Sequence, residues 1–216
     1  MVTALKTSIN ILLVFLFAAC TSVPDERMTP YVDFPETREL TARTLSLDSA
    51  LFRYPYRVRV QDDKAVVLDL HGTEYFFHAF HYPGFHYLSS FGKRGDAPEE
   101  MLSAENLRWN GNFLWTLDSN KSELTRLGFA SSGDSLLRLE AVSLDEELLR
   151  ALDFVQYDDS TFIIPDYSGD SRFCLVSRQG KLLHKIGTIP TTDEDALKNA
   201  HPALAQAWRS FIDYNP

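Results

Sequence analysis

Three aspartates, Asp69, Asp118 and Asp166, recur about 48 residues apart, each closing an apolar run. Carboxylates converging from separate repeats could act as acid and base in hydrolysis. They could equally accept N–H bonds in the turn after each run, as Asx-type turns do. The sequence favours this structural role, because the same residue closes every unit. His71, His78, His81 and His86 crowd one stretch. In a strand, His78 and His81 face opposite sides, and no neighbouring Cys or Glu completes a ligand spacing. Histidines at the surface or rim are therefore expected, with no metal site and no cofactor. Tyr82, Phe85 and Tyr87 flank Pro83-Gly84 and are candidates to grip a glycan or peptide. The paired carboxylates Asp62-Asp63 and Asp158-Asp159 fall at matching hairpin turns and read as solvated. Neither Ser89-Ser90 nor Ser131-Ser132 shows a His/Asp arrangement, and no nucleophile elbow, P-loop or dinucleotide fingerprint occurs.

The elements that carry these residues repeat. One unit, strand, polar turn, apolar strand, Asp, runs from Val58 to Asp69, from Leu107 to Asp118 and from Val155 to Asp166. After each unit, turn signals mark off two further strands: Pro83-Gly84, Ser131-Ser132-Gly133-Asp134 and Gln179-Gly180. Asn110-Gly111 is a strong hairpin signal. Four short antiparallel strands at this period predict β-propeller blades at about 57–101, 106–144 and 152–189. The fold class expected is all-β, with an added short helix. Leu40, Leu45 and Leu47, with Thr41 and Thr44, suggest an earlier strand. After 189, Leu204, Ala207, Trp208 and Phe211 recur at helical spacing, so a helical connector is expected over 193–213.

The formal net charge is −9 and basic residues are scattered, which argues against nucleic acid. Residues 1–19 read as an export signal: Lys6, an apolar run from Ile9 to Phe17, then Ala18-Ala19. The run is shorter than the ~20 residues that span a bilayer. Cys20 after small residues is the expected lipid attachment site, and 20–38 a polar tether. Acyl chains on Cys20 would anchor the chain to a membrane. The other cysteine, Cys174, sits in a strand-like run and reads as a buried thiol.

The lipobox-like Cys20, the phase of the three repeats and the stretch Phe91-Gly92-Lys93-Arg94-Gly95-Asp96-Ala97-Pro98-Glu99-Glu100 carry a resemblance. That stretch looks like a G-x-x-G-x-x-P-x-E interblade connector. The chain resembles TolB-like and NHL-like six-bladed propeller lipoproteins of Bacteroidetes. The resemblance implies binding or scaffolding in the cell envelope, on the periplasmic or surface side of the outer membrane, with no catalytic residues to carry over. The alternative is a propeller-type hydrolase or lactonase with an axial site. Three blades are half of six, so the sequence reads as a truncated propeller, or as one of two halves that self-associate through exposed blade faces.

Overall fold

The runs Lys64–Asp69, Phe113–Asp118 and Thr161–Pro165 are rich in β-branched, aromatic and leucine side chains. The first two have no polar face to turn to water. Such segments are stable only as strands covered on both sides. The computed structural model describes residues 36–45, 50–168, 171–189 and 212–213, and it places all three runs second in a sheet. The chain divides into two units, residues 1–44 and 45–216. All the strands belong to the second.

There are three four-stranded antiparallel sheets. Blade 1 comprises β1 (Pro55–Gln61), β2 (Lys64–Asp69), β3 (Tyr75–His81) and β4 (His86–Lys93), in that spatial order. Blade 2 comprises β5 (Asn106–Asn110), β6 (Phe113–Asp118), β7 (Glu123–Phe129) and β8 (Leu136–Ser143). Blade 3 comprises β9 (Val155–Gln156), β10 (Thr161–Pro165), β11 (Phe173–Ser177) and β12 (Leu182–Ile186). This is the incomplete all-β propeller that the repeats predict. Among the described residues there is no helix; the connector expected over 193–213 lies outside them except for 212–213. Cys20, the export signal and most of the tether also lie outside the described residues.

Two expectations need correction. Residues 36–45 form no strand, and Leu40 is almost fully exposed. A strand needs a paired neighbour, and no ladder reaches this stretch. The hairpin of blade 2 closes on the Asn110–Phe113 pair, so its loop is Gly111-Asn112 rather than Asn110-Gly111. Gly111 takes φ +53°, the left-handed region that a tight hairpin requires.

The core lies between blades. The two faces of β6 serve two interfaces. Leu114 packs towards blade 1 with Val66, Leu68, Phe77, Ala79 and Leu107. Trp115 and Leu117 pack towards blade 3 with Phe154, Phe162, Ile164, Cys174 and Val176. Trp115 meets Phe162 edge to face at 5.1 Å, and the Arg178 guanidinium caps the indole at 4.4 Å. Arg178 is held there by Glu140 at 2.6 Å. The face of blade 1 turned away from blade 2 is not bare: Ala50 and Phe52 cover Val67 and Phe80.

The connector between blades 1 and 2 explains its own sequence. Gly92 takes φ +64°, and a Cβ there would lie 2.6 Å from the Phe77 ring. A Cβ on Gly95 would lie 1.9 Å from the Glu100 carboxylate. Glu100 folds back to accept from Lys93 Nζ at 2.7 Å and Ala97 N at 3.3 Å. Lys121, from blade 2, donates to the carbonyls of Ala97 and Glu100. The glycines make room, and the glutamate ties the loop shut.

Truncating Phe162 to Ala should cost about 3–5 kcal/mol, because it empties the interface between blades 2 and 3. Leu183→Ala, on an exposed position of β12, should change stability by less than about 0.5 kcal/mol. Urea denaturation followed by circular dichroism measures both.

Candidate functional site

Each blade presents its first strand to the line where the blades converge, and β1 touches β5 there. Side chains alternate along these strands. Arg57 and Arg59 therefore share one face of β1, and Asn106 and Arg108 one face of β5. A bonded chain links the inner strands. Arg57 Nη1 donates to Asn106 Oδ1 at 2.5 Å, and Asn106 Nδ2 donates to Asp153 Oδ1. Arg108 binds the Asp153 carboxylate at 3.0 and 3.2 Å. It also donates to Asp213 Oδ1 at 2.7 Å and to the carbonyl of Ile212. Asn106 and Asp153 are buried. A buried carboxylate is stable only when paired and hydrogen-bonded, and Asp153 also accepts from the backbone N–H of Phe154.

Two cavities open beside this chain. The larger, about 500 Å³, lies at the hairpin end of the inner strands, between Gln61, Gly111 and Asp158-Asp159. Arg59, Arg108, Trp109, Gln156 and Tyr157 contribute to its wall. The smaller, about 250 Å³, lies at the opposite end, lined by Tyr54, Tyr56, His71, Glu105 and Tyr167 among others. Burial holds the Arg59 pKa below its ordinary value, and the nearby Arg108 and Arg57 charges add to this; Asp213 and Asp153 oppose it.

The repeated aspartates do not line either cavity. All three are buried. Asp69 accepts from the backbone N–H groups of Arg53 and Tyr54 at 2.8 and 2.6 Å, just before β1. Asp118 accepts from Leu102 N at 2.7 Å, just before β5, and from Asn120 N and Lys121 N in its own turn. Among the described residues, Asp166 accepts only from later positions, Ser168 N at 2.8 Å and Ser171 N and Oγ at 3.2 and 2.6 Å. Asp118 and Asp166 thus bond their own turns as the Asx-turn reading expects, whereas the Asp69 carboxylate does not. Asp69 and Asp118 instead reach back to the chain entering their blade, which that reading does not foresee.

Tyr82, Phe85 and Tyr87 form one aromatic group around Phe80, with ring centroids 5.8–6.0 Å apart. They sit at the β3–β4 hairpin, on the outer strands of blade 1 and away from the axial cavities. The expectation of surface histidines holds for His71, His81 and His86 but fails for His78, which is buried. Its Nδ1 lies 2.8 Å from Ser90 Oγ, which lies 2.8 Å from the Tyr87 hydroxyl. The Phe52 ring covers it edge-on, and burial lowers its pKa against a smaller opposing pull from Asp69. Among the described residues, no group of three or more His, Cys, Asp or Glu is placed to hold a metal.

Sequence reasoning passes over the residues that build the axial cavity. The signal was present in the repeat itself. The second position of the unit is Arg59, Arg108 and Gln156 in the three blades, and all three line the larger cavity.

The sequence matches the family described as TolB-like 6-blade propeller-like over residues 33–216. The chain belongs to this family. Among solved structures, this TolB-like chain is similar to a candidate exported protein of Bacteroides fragilis. The TM-score is 0.54 at 14% identity, over 69% of this chain and 42% of that one. It is also similar to a protein of unknown function from Desulfotomaculum acetoxidans, with a TM-score of 0.43 at 15% identity over 61% and 41% of the two chains. A candidate 6-phosphogluconolactonase of Bacteroides fragilis gives a TM-score of 0.45 at 11% identity over 62% and 40%. These likenesses concern the fold alone, and each covers less than half of the solved chain. No curated protein matches the sequence.

Asp153→Ala should destabilise the TolB-like chain by about 3–5 kcal/mol, because it strands the buried Asn106 amide, the Phe154 N–H and the Arg108 Nε–H and breaks a buried ion pair. Asp158→Ala, at an exposed turn, should cost far less. Urea titrations of the two variants measure the difference. Asp166 supplies a pH test. Burial alone would raise its pKa, but the bonds from Ser171 and Ser168 and the charge of Lys185 hold it below its ordinary 3.8. Its contribution to stability is therefore complete above about pH 4 and is lost as pH falls through the folded-state value. Ser171→Ala should narrow the gap in stability between pH 7 and pH 3, read from urea midpoints at the two pH values.

Proposed function

We propose that the chain is an exported, lipid-anchored binding module that takes its ligand in the larger axial cavity. The observation that carries this reading is the convergence of Arg59, Arg108 and Gln156, one repeat position from three blades, on a cavity also walled by Trp109 and Tyr157. Aromatic surface with a few polar groups is the usual make-up of a small-ligand site. Propeller hydrolysis or lactonase chemistry needs free acidic groups at the axis. Asp69, Asp118 and Asp166 are committed to backbone N–H groups instead and line neither cavity, so that chemistry loses the repeated aspartates as its candidates.

Export and anchoring rest on Lys6, the Ile9–Phe17 run and Ala18-Ala19-Cys20. No helix among the described residues is long and apolar enough to cross a membrane. Acylation of Cys20 would supply the attachment. Cys20→Ala should move the full chain from the detergent phase to the aqueous phase on Triton X-114 partitioning. Equal partitioning of the two forms would remove the lipid anchor.

The cavity is tested by saturation-transfer NMR with panels of small glycans and peptides on the full chain in micelles. Gln156→Trp, which narrows the cavity, should sharply reduce the signal of binders. Binders that survive this change but are lost in Tyr87→Ala would move the site to the β3–β4 aromatic group.

A further inference from the structure

Three arginines meet near the axis, and they are not equivalent. Arg57 is bonded to Asn106. Arg108 is saturated by Asp153, Asp213 and the Ile212 carbonyl. The Arg59 guanidinium has no hydrogen bond or ion pair among the described residues, and its Nε is buried without a partner. Trp109, on the same cavity wall, has an indole Nε1–H that is likewise buried and unpaired. Folded proteins rarely leave buried donors unmatched, and an unmatched one calls for an explanation. Both unmatched groups on this wall are donors, and no side-chain acceptor there is buried and unmatched.

We propose that the axial cavity binds a monocarboxylate ligand, with the Arg59 guanidinium as its anchor. This rests on the axial-cavity reading above and specifies its ligand class. A planar guanidinium matches a carboxylate as two parallel N–H···O bonds. The acids on the same wall set the limit on charge. Asp213 shares Arg108 with Asp153, and Asp158 and Asp159 stand at the hairpin rim. Asp158 is engaged by Ser160 and Thr161 but keeps its charge, its pKa being lowered first by the Ser160 bond. The rim carboxylates repel a dianion more than a monoanion, so a ligand carrying one negative charge, held directly on Arg59, is favoured over a phosphate dianion. The amides of Gln61, Asn110 and Gln156 suit a hydroxyl-bearing body behind the carboxylate.

The test titrates the full chain in micelles with glucuronate, glucose and inorganic phosphate, read by calorimetry. Glucuronate should bind saturably, with glucose and phosphate each at least about tenfold weaker. Arg59→Gln should lose at least about tenfold in glucuronate affinity, and Arg59→Lys should recover part of it. Trp109→Phe, which keeps a ring and removes the N–H, gives a second reading if Arg59→Gln does not fold; it too should weaken glucuronate. Absence of glucuronate binding, equal binding of glucose, tighter binding of phosphate, or unchanged affinity in Arg59→Gln would each overturn the proposal. Equal glucose and glucuronate binding that Gln156→Trp sharply reduces would overturn the carboxylate while leaving the axial cavity as the site.

Discussion

The structure depends on one packing constraint: the second strand of a blade must be covered on both faces. β6 shows the constraint in full. Leu114 is buried against blade 1, and Trp115 and Leu117 against blade 3, so a single strand belongs to two cores. Four strands alone would leave half of these side chains in water. Burial of such residues contributes about 1.5–3 kcal/mol each, and only a neighbouring blade supplies it. The radial arrangement follows from this need, and with it the convergence of β1 and β5 on the axis.

Convergence then dictates the chemistry found there. Inner strands have no room for another apolar layer, so their alternate positions carry polar residues that must satisfy one another. Arg57, Asn106, Arg108 and Asp153 do so by passing hydrogen bonds from one blade to the next. The same crowding gathers positive charge around Arg59. The binding role proposed for the axis thus rests on the same geometry that stabilises the blades.

Most of the fold was legible because strands declare themselves by local signals. Apolar runs, Gly and Asn-Gly turns and a recurring Asp were enough to place three blades. The axial cavity was harder to see. Arg59 and Arg108 look like ordinary solvent-facing residues of alternating strands, and only their shared place in the repeat marks them. The bond partners of Asp69 were also hidden, since Arg53 and Tyr54 precede the repeat and carry no turn signal. His78 looked like a rim residue because nothing in its own strand reveals that Phe52 folds over it. Leu40 and its neighbours had the composition of a strand without a partner to pair with, and composition does not report pairing.

The backward clasp of Asp69 and Asp118 bears on how such a chain can change in length. In both blades the aspartate holds a backbone N–H that lies 16 residues upstream. The interval contains the inner hairpin and nothing else. An insertion there would pull the clasp open or push β1 or β5 out of line with the axis. The outer hairpins of blades 1 and 2 carry no aspartate clasp of this kind, and their loops differ in length, 82–85 against 130–135. Loop 178–181 of blade 3 is instead tied to Asp145, whose carboxylate accepts from Leu182 N and whose N–H donates to the Gly180 carbonyl. Novelty in relatives of this chain should therefore accumulate at the untied outer loops of blades 1 and 2, while the hub keeps its measure.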